Sequence, residues 1–409
     1  MTELLLVNIK SLLQVREVGV KQVNGLSMNN LPSLDNAWLH VQDGRIQDFG
    51  SMDQVPDLNI STKDCSGSYV LPSFVDPHTH LVFAKSREEE FEMRIQGKGY
   101  EEIAAAGGGI LNSAKKLATM SEQQLFDDTM ARLEEVISTG TGAIEIKSGY
   151  GLSVEAELKM LRVVKRIKEA NRIPVKATFL GAHAFPAEYK QNHQGYIDLI
   201  INEMLPRIAD EGLADYVDAF CERGYYSVDE TRQVMKAGAK YGLKPKIHVN
   251  QFSRSGGVQL GVELGALSVD HLEEMGKEEI EALQGSNTIP TILPSCSFFL
   301  SIPYAPAREL MQADLPLALA TDYNPGSTPS GNIPFVLSLA CIKQKMTPNE
   351  VINAATINAA AAIELEDELG SITKGKRANL IITQPMPNLS YWMYSFGKGN
   401  QLIREVILS

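Results

Sequence analysis

Two histidines follow an apolar stretch in the segment VLPSFVDPHTHLVF, residues 70–83. His78 and His80 are two residues apart, so on an extended strand both side chains leave the same face. Neutral imidazole is the commonest protein ligand for zinc and similar ions, and two on one face make half a site. The alternative interpretation is a strand end whose histidines face water. The apolar run before them, with Asp76 and Pro77, favours a metal site, and ligands later in the chain decide between the two.

Those later ligands follow other predicted strands. Five of the seven histidines lie at or just past predicted strand ends, and any single one could be structural: His78, His80, His183, His248 and His271. The last predicted strand, LPLALATD, ends in Asp322. Since five such placements are hard to assign to chance, we predict one shared site.

The composition of this set indicates a metal site that can activate water. Three imidazoles and one carboxylate, from His78, His80, His248 and Asp322, suit a divalent ion, with zinc favoured and iron or manganese as alternatives. Such an ion activates water for hydrolysis. Asp322 can take the proton of the water, and His271 can hold the water or the reacting oxygen. A helix N-cap is the other interpretation of Asp322, and it does not exclude metal binding.

The elements that position these residues form a regular series. From about residue 71 to residue 365, strands alternate with helical stretches, the pattern of a parallel α/β fold. Predicted helices include 123–137, 154–170, 228–241 and 277–283. The predicted strands end at His80, Ser148, Ala182, Cys221, Val249, His271, Leu293 and Asp322. Eight such strands predict a (β/α)8 barrel with its active site at the carboxyl ends of the strands.

Both ends of the chain have a different character. Residues 1–69 read as short strands and turns, with alternating segments 38–41 and 45–49 around the hairpin signal Asp43-Gly44. Residues 370–383 read as strand, turn and strand, and 402–408 as a further strand. We therefore expect residues 1–69 and 366–409 to form one small β domain beside a barrel of residues 70–365.

Composition restricts partners and compartment. The 409 residues are 44% hydrophobic and 22% charged, and the net charge of −12 without a basic block argues against nucleic acid or an anionic membrane as partner. The four cysteines are widely spaced without a CxxC pair, as expected in a reducing compartment. With no signal-peptide pattern and no apolar run of about 20 residues, we expect a cytoplasmic protein.

The FVDPHTH element, followed by His248, His271 and Asp322, resembles the amidohydrolase superfamily. Within it, the resemblance to the imidazolonepropionase family covers nearly the whole chain. It is carried by VDPHTHLVFA, EEFEMRIQGKGYEEIAAAGGGI, IEIKSGYGL, TFLGAHAFP, FCERGYYS, SVDHLE, LPSCSFFL and ATDYNPGS. It implies hydrolysis of 4-imidazolone-5-propanoate to N-formimino-L-glutamate in histidine degradation, a β-sandwich formed by both termini, and a homodimer.

The resemblance also implies site residues. Its metal ligands correspond to His78, His80, His248 and Asp322, and its substrate contacts to Arg87, Tyr150, His183, Asn324, Gly326 and Ser327. The Arg87 guanidinium can fork onto the propanoate, although without the resemblance an exposed arginine would be expected among Glu88–Glu90. The Tyr150 hydroxyl can bond a polar ring or a carboxylate, although a loop tyrosine more often packs. His183 can donate to the imidazolone, and the Asn-Pro-Gly-Ser pattern by itself indicates only a turn.

Two positions depart from related enzymes. Gln251 stands where a glutamate is common; it can orient and bond the substrate but cannot exchange a proton, so Asp322, or else His271, must supply the proton. The fourth strand ends in Phe220-Cys221-Glu222 without the lysine of two-metal relatives, and Lys147 is a poor substitute, so we expect one metal unless Glu222 binds a second.

Other interpretations stay open from the sequence. A purine or pyrimidine deaminase on the same scaffold normally needs an acid at the position of Gln251, and a metal-free scaffold protein would have lost metal ligands. Residues 106–110, AGGGI, could be a lid over the site or a tight turn.

Overall fold

Eight parallel strands form the central barrel of the computed structural model, which describes residues 3–98, 102 and 108–409. Each strand pairs with the next in chain order, and the strands are buried along most of their length. They are β6 (Phe74–Asp76), β7 (Thr141–Lys147), β8 (Val175–Ala182), β9 (Tyr216–Cys221), β10 (Lys244–Val249), β11 (Ser268–His271), β12 (Ile289–Ile292) and β13 (Ala318–Leu319).

The ring closes just beyond the ends of its first and last strands. Thr79 and Tyr323 form an isolated parallel bridge, in which the His80 amide donates to the Tyr323 carbonyl at 2.9 Å. The Asp322 amide donates to the His78 carbonyl at 3.1 Å. The prediction of a (β/α)8 barrel is confirmed.

The helices lie between the strands and cover the ring. Helix α4 (Val154–Glu169) shows why: Met160, Val164 and Ile167 recur at spacings of three and four residues and are fully buried. Ser227 is the N-cap of α7 (Val228–Ala239) and forms a capping box with Glu230. The helices are α1 (Glu88–Ile95), α2 (Ile110–Thr119), α3 (Glu122–Ser138), α4 (Val154–Glu169), α5 (His193–Leu199), α6 (Leu205–Glu211), α7 (Val228–Ala239), α8 (Gly257–Glu263), α9 (Lys277–Leu283), α10 (Pro294–Leu300), α11 (Ala307–Gln312), α12 (Ile333–Gln344), α13 (Pro348–Ala355), α14 (Ile357–Ala361) and α15 (Ser390–Tyr394).

Both ends of the chain meet in a second, mixed sheet of seven strands. Its strands are β1 (Glu3–Leu13), β2 (Ser33–Gln42), β3 (Arg45–Ser51), β4 (Thr62–Asp64), β5 (Tyr69–Pro72), β14 (Leu380–Thr383) and β15 (Ile403–Ile407). The strand order is β15-β14-β5-β1-β2-β3, and β4 pairs with β1. The sheet has an apolar core of its own, built from residues such as Leu6, Leu39 and Ile382.

Most predicted boundaries lie within a few residues of the observed ones, and three predictions differ from the structure. β1 and β2 have 11 and 10 residues, so the first segment is not made only of short strands. The first barrel strand ends at Asp76 rather than His80, beyond which only Thr79 is paired. The last ends at Leu319 rather than Asp322, because Asp322 has a φ of 57°, outside the strand region. No helix in the described part of the chain is long and apolar enough to cross a membrane.

Candidate metal centre and active-site cavity

Four side chains converge at the carboxyl end of the barrel. Nε2 of His78 and Nε2 of His80 lie 3.6 and 3.5 Å from Oδ1 of Asp322. Nε2 of His248 lies 3.4 Å from Nε2 of His80. His78, His80 and Asp322 form a group whose ligand atoms all lie within 4.8 Å of one another, and His78, His248 and His271 form another. The four residues proposed from the sequence as metal ligands are therefore brought together.

Buried carboxylates hold the far side of two of these rings. Nδ1 of His78 is hydrogen-bonded to Oδ2 of Asp270 at 2.7 Å, and Nδ1 of His248 lies 2.9 Å from Oδ2 of Asp218. In a neutral ring, a proton on Nδ1 leaves Nε2 free to bind a metal. Both histidines therefore present Nε2 to the centre.

The Lys147 ammonium connects the two carboxylates. Its Nζ lies 2.9 Å from Oδ2 of Asp218 and 3.6 Å from Oδ2 of Asp270, with Oε1 of Glu145 at 2.7 Å. All four side chains are fully buried. Burial alone would lower the pKa of Lys147, but the surrounding carboxylates raise it far above its ordinary value. A permanent cation thus lies behind the histidines.

The donor atoms fit a metal ion. Among the described residues, Nε2 of His78 is fully buried and has no hydrogen-bond partner. Burial, with further lowering by the cationic groups around them, brings the pKa values of His78 and His80 well below the ordinary value, so both rings are neutral. Neutral imidazole nitrogens and a carboxylate oxygen directed at one position are suitable ligands for a divalent ion.

His271 lies next to this group in a strained backbone conformation. Its φ is 90°, and Leu272 follows with a φ of 70°, values that side-chain-bearing residues seldom adopt. Burial alone would lower the pKa of His271, but the carboxylate of Glu273, 3.6 Å from Nδ1, raises it above the ordinary value. His271 is therefore the histidine of the site best able to carry a proton.

A cavity of about 600 Å³ is lined by residues that contact this group. All seven residues proposed to contact substrate line it: Arg87, Tyr150, His183, Gln251, Asn324, Gly326 and Ser327. The ring of His183 stacks on that of His80 with centroids 5.3 Å apart, which connects the cavity wall to the proposed metal ligands. The volume is in the range of small-molecule sites.

Arg87 lines this cavity. Its Nε donates to Oγ of Ser113 at 2.9 Å, whereas its Nη2 is buried without a hydrogen-bond partner among the described residues. A Cβ on Gly326 would lie 2.5 Å from Nη1 of Arg87, so only glycine leaves the guanidinium this room. A buried guanidinium with an unused N–H group is a site for an anion.

The His183 ring has a definite orientation. Its Nδ1 lies 3.1 Å from the Gly149 carbonyl, which can only accept, so Nδ1 carries the proton. Burial lowers the pKa of His183 to about 3, so the ring is neutral and Nε2 is an acceptor. The donor role expected from the sequence does not fit this state; Nε2 instead suits a substrate N–H.

The turn after Asp322 is organised by Asn324. Its Oδ1 accepts from the amides of Gly326 and Ser327 at 2.7 and 2.8 Å, and its Nδ2 donates to the Asp322 carbonyl at 2.7 Å. Ser327 Oγ lies 3.2 Å from Oδ2 of Asp322. Asn324 therefore shapes the wall of the cavity through bonds within its own turn.

Glu222 is occupied elsewhere. Its carboxylate accepts from the amides of Phe252 and Ser253 and from the Ser253 hydroxyl, so it fastens the loop after β10. It belongs to none of the potential metal groups of the described residues. The segment 106–110, considered above as a lid or a turn, lies partly outside the described residues.

Sequence reasoning missed Asp218, Asp270 and the role of Lys147. A signal was present for Asp218, because it is a charged residue inside the otherwise apolar strand YVDAFC, where burial requires a partner. It also missed Cys296, whose Sγ accepts from Nε2 of Gln251 at 3.3 Å. No local pattern marks that contact.

Comparison with known proteins agrees with this geometry. The model of the amidohydrolase family matches residues 69–402, and the family is metal-dependent. An imidazolonepropionase of Flavobacterium johnsoniae is 59% identical over 99% of this chain and 98% of its own length. One of Christiangramia forsetii is 57% identical over 97% of each chain.

Solved structures show the same fold at low identity. The guanine deaminase of E. coli superposes with a TM-score of 0.72 over all of this chain and 98% of its own, at 13% identity. The full-length similarity to the two bacterial relatives is far closer. The chain therefore belongs to the amidohydrolase family and, within it, to the imidazolonepropionases.

Proposed function

We infer that the protein hydrolyses the ring amide C–N bond of 4-imidazolone-5-propanoate to give N-formimino-L-glutamate, in histidine degradation. The observation that carries this function is Nη2 of Arg87, which has no hydrogen-bond partner among the described residues. Arg87 lines a cavity whose residues His183 and Ser327 contact His80 and Asp322 of the His/Asp group. The cavity thus offers one group for a carboxylate and another for hydrolysis. Full-length similarity to imidazolonepropionases supports the same substrate.

We propose that His78, His80, His248 and Asp322 hold one divalent ion per subunit, zinc in the first place and iron as the alternative. The ion, when bound, activates water and polarises the carbonyl of the substrate. The absence of Glu222 from the group supports a single ion at this position. The Lys147, Asp218 and Asp270 network keeps the imidazole nitrogens directed at it.

Proton movement is assigned to Asp322 and His271. As water adds to the ring carbonyl carbon, Asp322 takes its proton, and His271 stabilises the negative oxygen by donating a hydrogen bond. The ring C–N bond then breaks, and Asp322 returns the proton to the leaving nitrogen. Burial raises the pKa of Asp322, which makes the carboxylate a better base than an exposed one.

The cavity wall orients the substrate. The guanidinium of Arg87 forks onto the propanoate, and Nε2 of His183 accepts a ring N–H. Tyr150 lies between them, with its ring 5.6 Å from the Arg87 guanidinium and 5.5 Å from the His183 ring. Gln251 bonds the substrate without exchanging a proton.

We further propose that the protein works as a cytoplasmic homodimer without a nucleic-acid or membrane partner. A ring deaminase on this scaffold is the alternative reaction, and Gln251 counts against it because deamination of this type needs an acid there. A metal-free scaffold is the non-enzymatic alternative, and the complete His/Asp group counts against it.

The test follows the ultraviolet absorbance of the imidazolone on adding purified enzyme, with the product identified by mass spectrometry. We expect turnover that a chelator abolishes and added zinc or iron restores. Turnover unaffected by complete metal removal would contradict the metal-dependent mechanism. Metal-loaded protein without turnover would direct the search to ring deamination, and protein that binds no metal would restore the scaffold interpretation.

A further inference from the structure

The thiol of Cys296 lies beside the proposed active site, on α10. Its side chain is fully buried, and its Sγ forms a group with ligand atoms of His271 and Asp322 that all lie within 4.8 Å of one another. In the described part of the chain, the two groups that contain His78 do not include Cys296. The sulfur therefore marks a position next to the first metal centre and distinct from it.

We propose that His271, Cys296 and Asp322 form a second metal site, weaker than the first, for a thiol-binding divalent ion such as zinc, cobalt or cadmium. Thiolate, imidazole and carboxylate are all zinc ligands. The thiolate favours these ions over magnesium or calcium, which prefer oxygen. Asp322 has two carboxylate oxygens and can serve both ions.

The surroundings of the sulfur support binding. The buried amide of Gln251 donates to Sγ at 3.3 Å, and such a donor stabilises negative charge on sulfur. Two anionic ligands, the thiolate and the carboxylate, would offset the repulsion between neighbouring dications. The second site offers three protein ligands and shares Asp322 with the first, which has four, so the second site is the weaker of the two.

Occupation of the second site would inhibit hydrolysis. It engages His271 and Asp322, the two groups assigned to the oxyanion and to the proton. This consequence rests on the proposed function, whereas the binding of the ion does not. Excess zinc would therefore act as an inhibitor through the buried thiol of Cys296 beside the proposed active site.

The binding test titrates purified enzyme, with its first site filled, with Co²⁺ and records the thiolate-to-cobalt charge-transfer absorbance and the bound ions per subunit. We expect one additional ion and the charge-transfer band in the wild type. Cys296→Ser, which nearly keeps the size of the side chain, should lose the band and bind the added ion at least about tenfold more weakly. Cys341→Ser, a matched change at a half-buried thiol on α12, should behave as wild type.

A wild type without the additional ion would overturn the proposal, as would a band that persists in Cys296→Ser.

The activity test adds excess Zn²⁺ to the hydrolysis assay. The zinc concentration for half inhibition should rise at least about tenfold in Cys296→Ser relative to wild type. A cobalt site with no inhibition by zinc would keep the site and overturn instead the roles assigned to His271 and Asp322.

Discussion

Arg87 and His183 each use one nitrogen in a hydrogen bond within the protein, and a second nitrogen is left for the substrate. The Arg87 guanidinium donates from Nε to Ser113, and its Nη2 has no hydrogen-bond partner among the described residues. His183 donates its Nδ1 proton to a backbone carbonyl, which leaves Nε2 as an acceptor. One residue thus presents a donor with positive charge, and the other presents a lone pair. The pair can distinguish the charged tail of a substrate from its ring.

Replacing Arg87 by alanine should lower kcat/KM for the propanoate substrate roughly 10- to 150-fold, because a hydrogen bond to a charged group contributes about 1.5–3 kcal/mol. Bound metal should stay at the wild-type amount, since Arg87 is not in the metal group. Steady-state kinetics with metal analysis of the same samples gives both values. Arg87→Lys keeps the charge and loses the bidentate hydrogen bonding, so its kcat/KM should lie between those of wild type and Arg87→Ala. An unchanged kcat/KM in Arg87→Ala would show that Arg87 does not bind the substrate.

At the scale of elements, the parallel strands also position the charged side chains that contact the proposed metal ligands. β7, β9 and β11 place Lys147, Asp218 and Asp270 inside the barrel, and β10 adds a second buried lysine, Lys246, with its Nζ 2.8 Å from Oε2 of Glu145. Only Lys147 of the two is paired with the carboxylates that contact His78 and His248. We therefore expect Lys147 to orient the proposed metal ligands, and Lys246 to contribute only to the stability of the barrel core.

Lys147→Met should weaken metal binding by about 10- to 100-fold, the usual effect of losing partners that orient metal ligands. Lys246→Met is the matched control, because it also removes a buried ammonium but leaves Asp218 and Asp270 paired. Competition with a chromophoric chelator measures both affinities. Equal affinities in the two variants would show that Lys147 contributes only to stability.

The junction between the barrel and the terminal sheet contains a lysine with a pH-dependent role. Lys376 donates to the carbonyls of Glu366 and Leu369, and burial lowers its pKa from 10.5 to about 8. Between these pH values the unfolded chain binds more protons than the folded one, so stability rises as the pH increases. Relative to Lys376→Met, the wild type should gain on the order of 3 kcal/mol across this interval.

Denaturant unfolding at several pH values gives this difference. Lys374→Met is the control, since Lys374 lies two residues away and is 58% exposed. Parallel curves for wild type and Lys376→Met would contradict the lowered pKa.

The parts that could be predicted from sequence are those that local patterns specify. Alternation and turn signals located β2 and β3, and strand-end histidines indicated the metal group, because parallel strands end at one edge of a barrel. Lys147 could not be placed in the same way, since its partners Asp218 and Asp270 lie on other strands and the pairing depends on barrel register. The contact between Gln251 and Cys296 likewise depends on how loop and helix meet. The domain division at residues 69 and 366 stays a prediction.

At the scale of the whole molecule, one buried apolar cluster contains residues of both the barrel and the terminal sheet. Leu13 and Tyr69 from the terminal sheet belong to the same buried cluster as Phe179 of the barrel and Trp392. The side chain of Asn379, just before β14, donates to the Gly142 carbonyl of β7 at 2.9 Å. We therefore expect the chain to unfold as one cooperative unit.

The two tryptophans report on the two parts separately. Trp38 lies in β2 of the terminal sheet, and Trp392 packs near Phe74 of the barrel, with ring centroids 5.8 Å apart. Trp38→Phe and Trp392→Phe each keep one tryptophan. In each variant, the denaturant midpoint from fluorescence should equal the midpoint from circular dichroism. A fluorescence transition that precedes the loss of helical signal would indicate two independent units.

The closure of the ring between its first and last strands also links assembly to metal loading. His78 and Asp322 are 244 positions apart in the chain, and they become neighbours only when Thr79 pairs with Tyr323. A growing chain on the ribosome therefore has only part of the proposed ion-binding set until its final barrel strand has been made and seated. An ion bound by the complete set favours the closed ring over any opened form. The stability of the closed ring should therefore increase with the concentration of free metal.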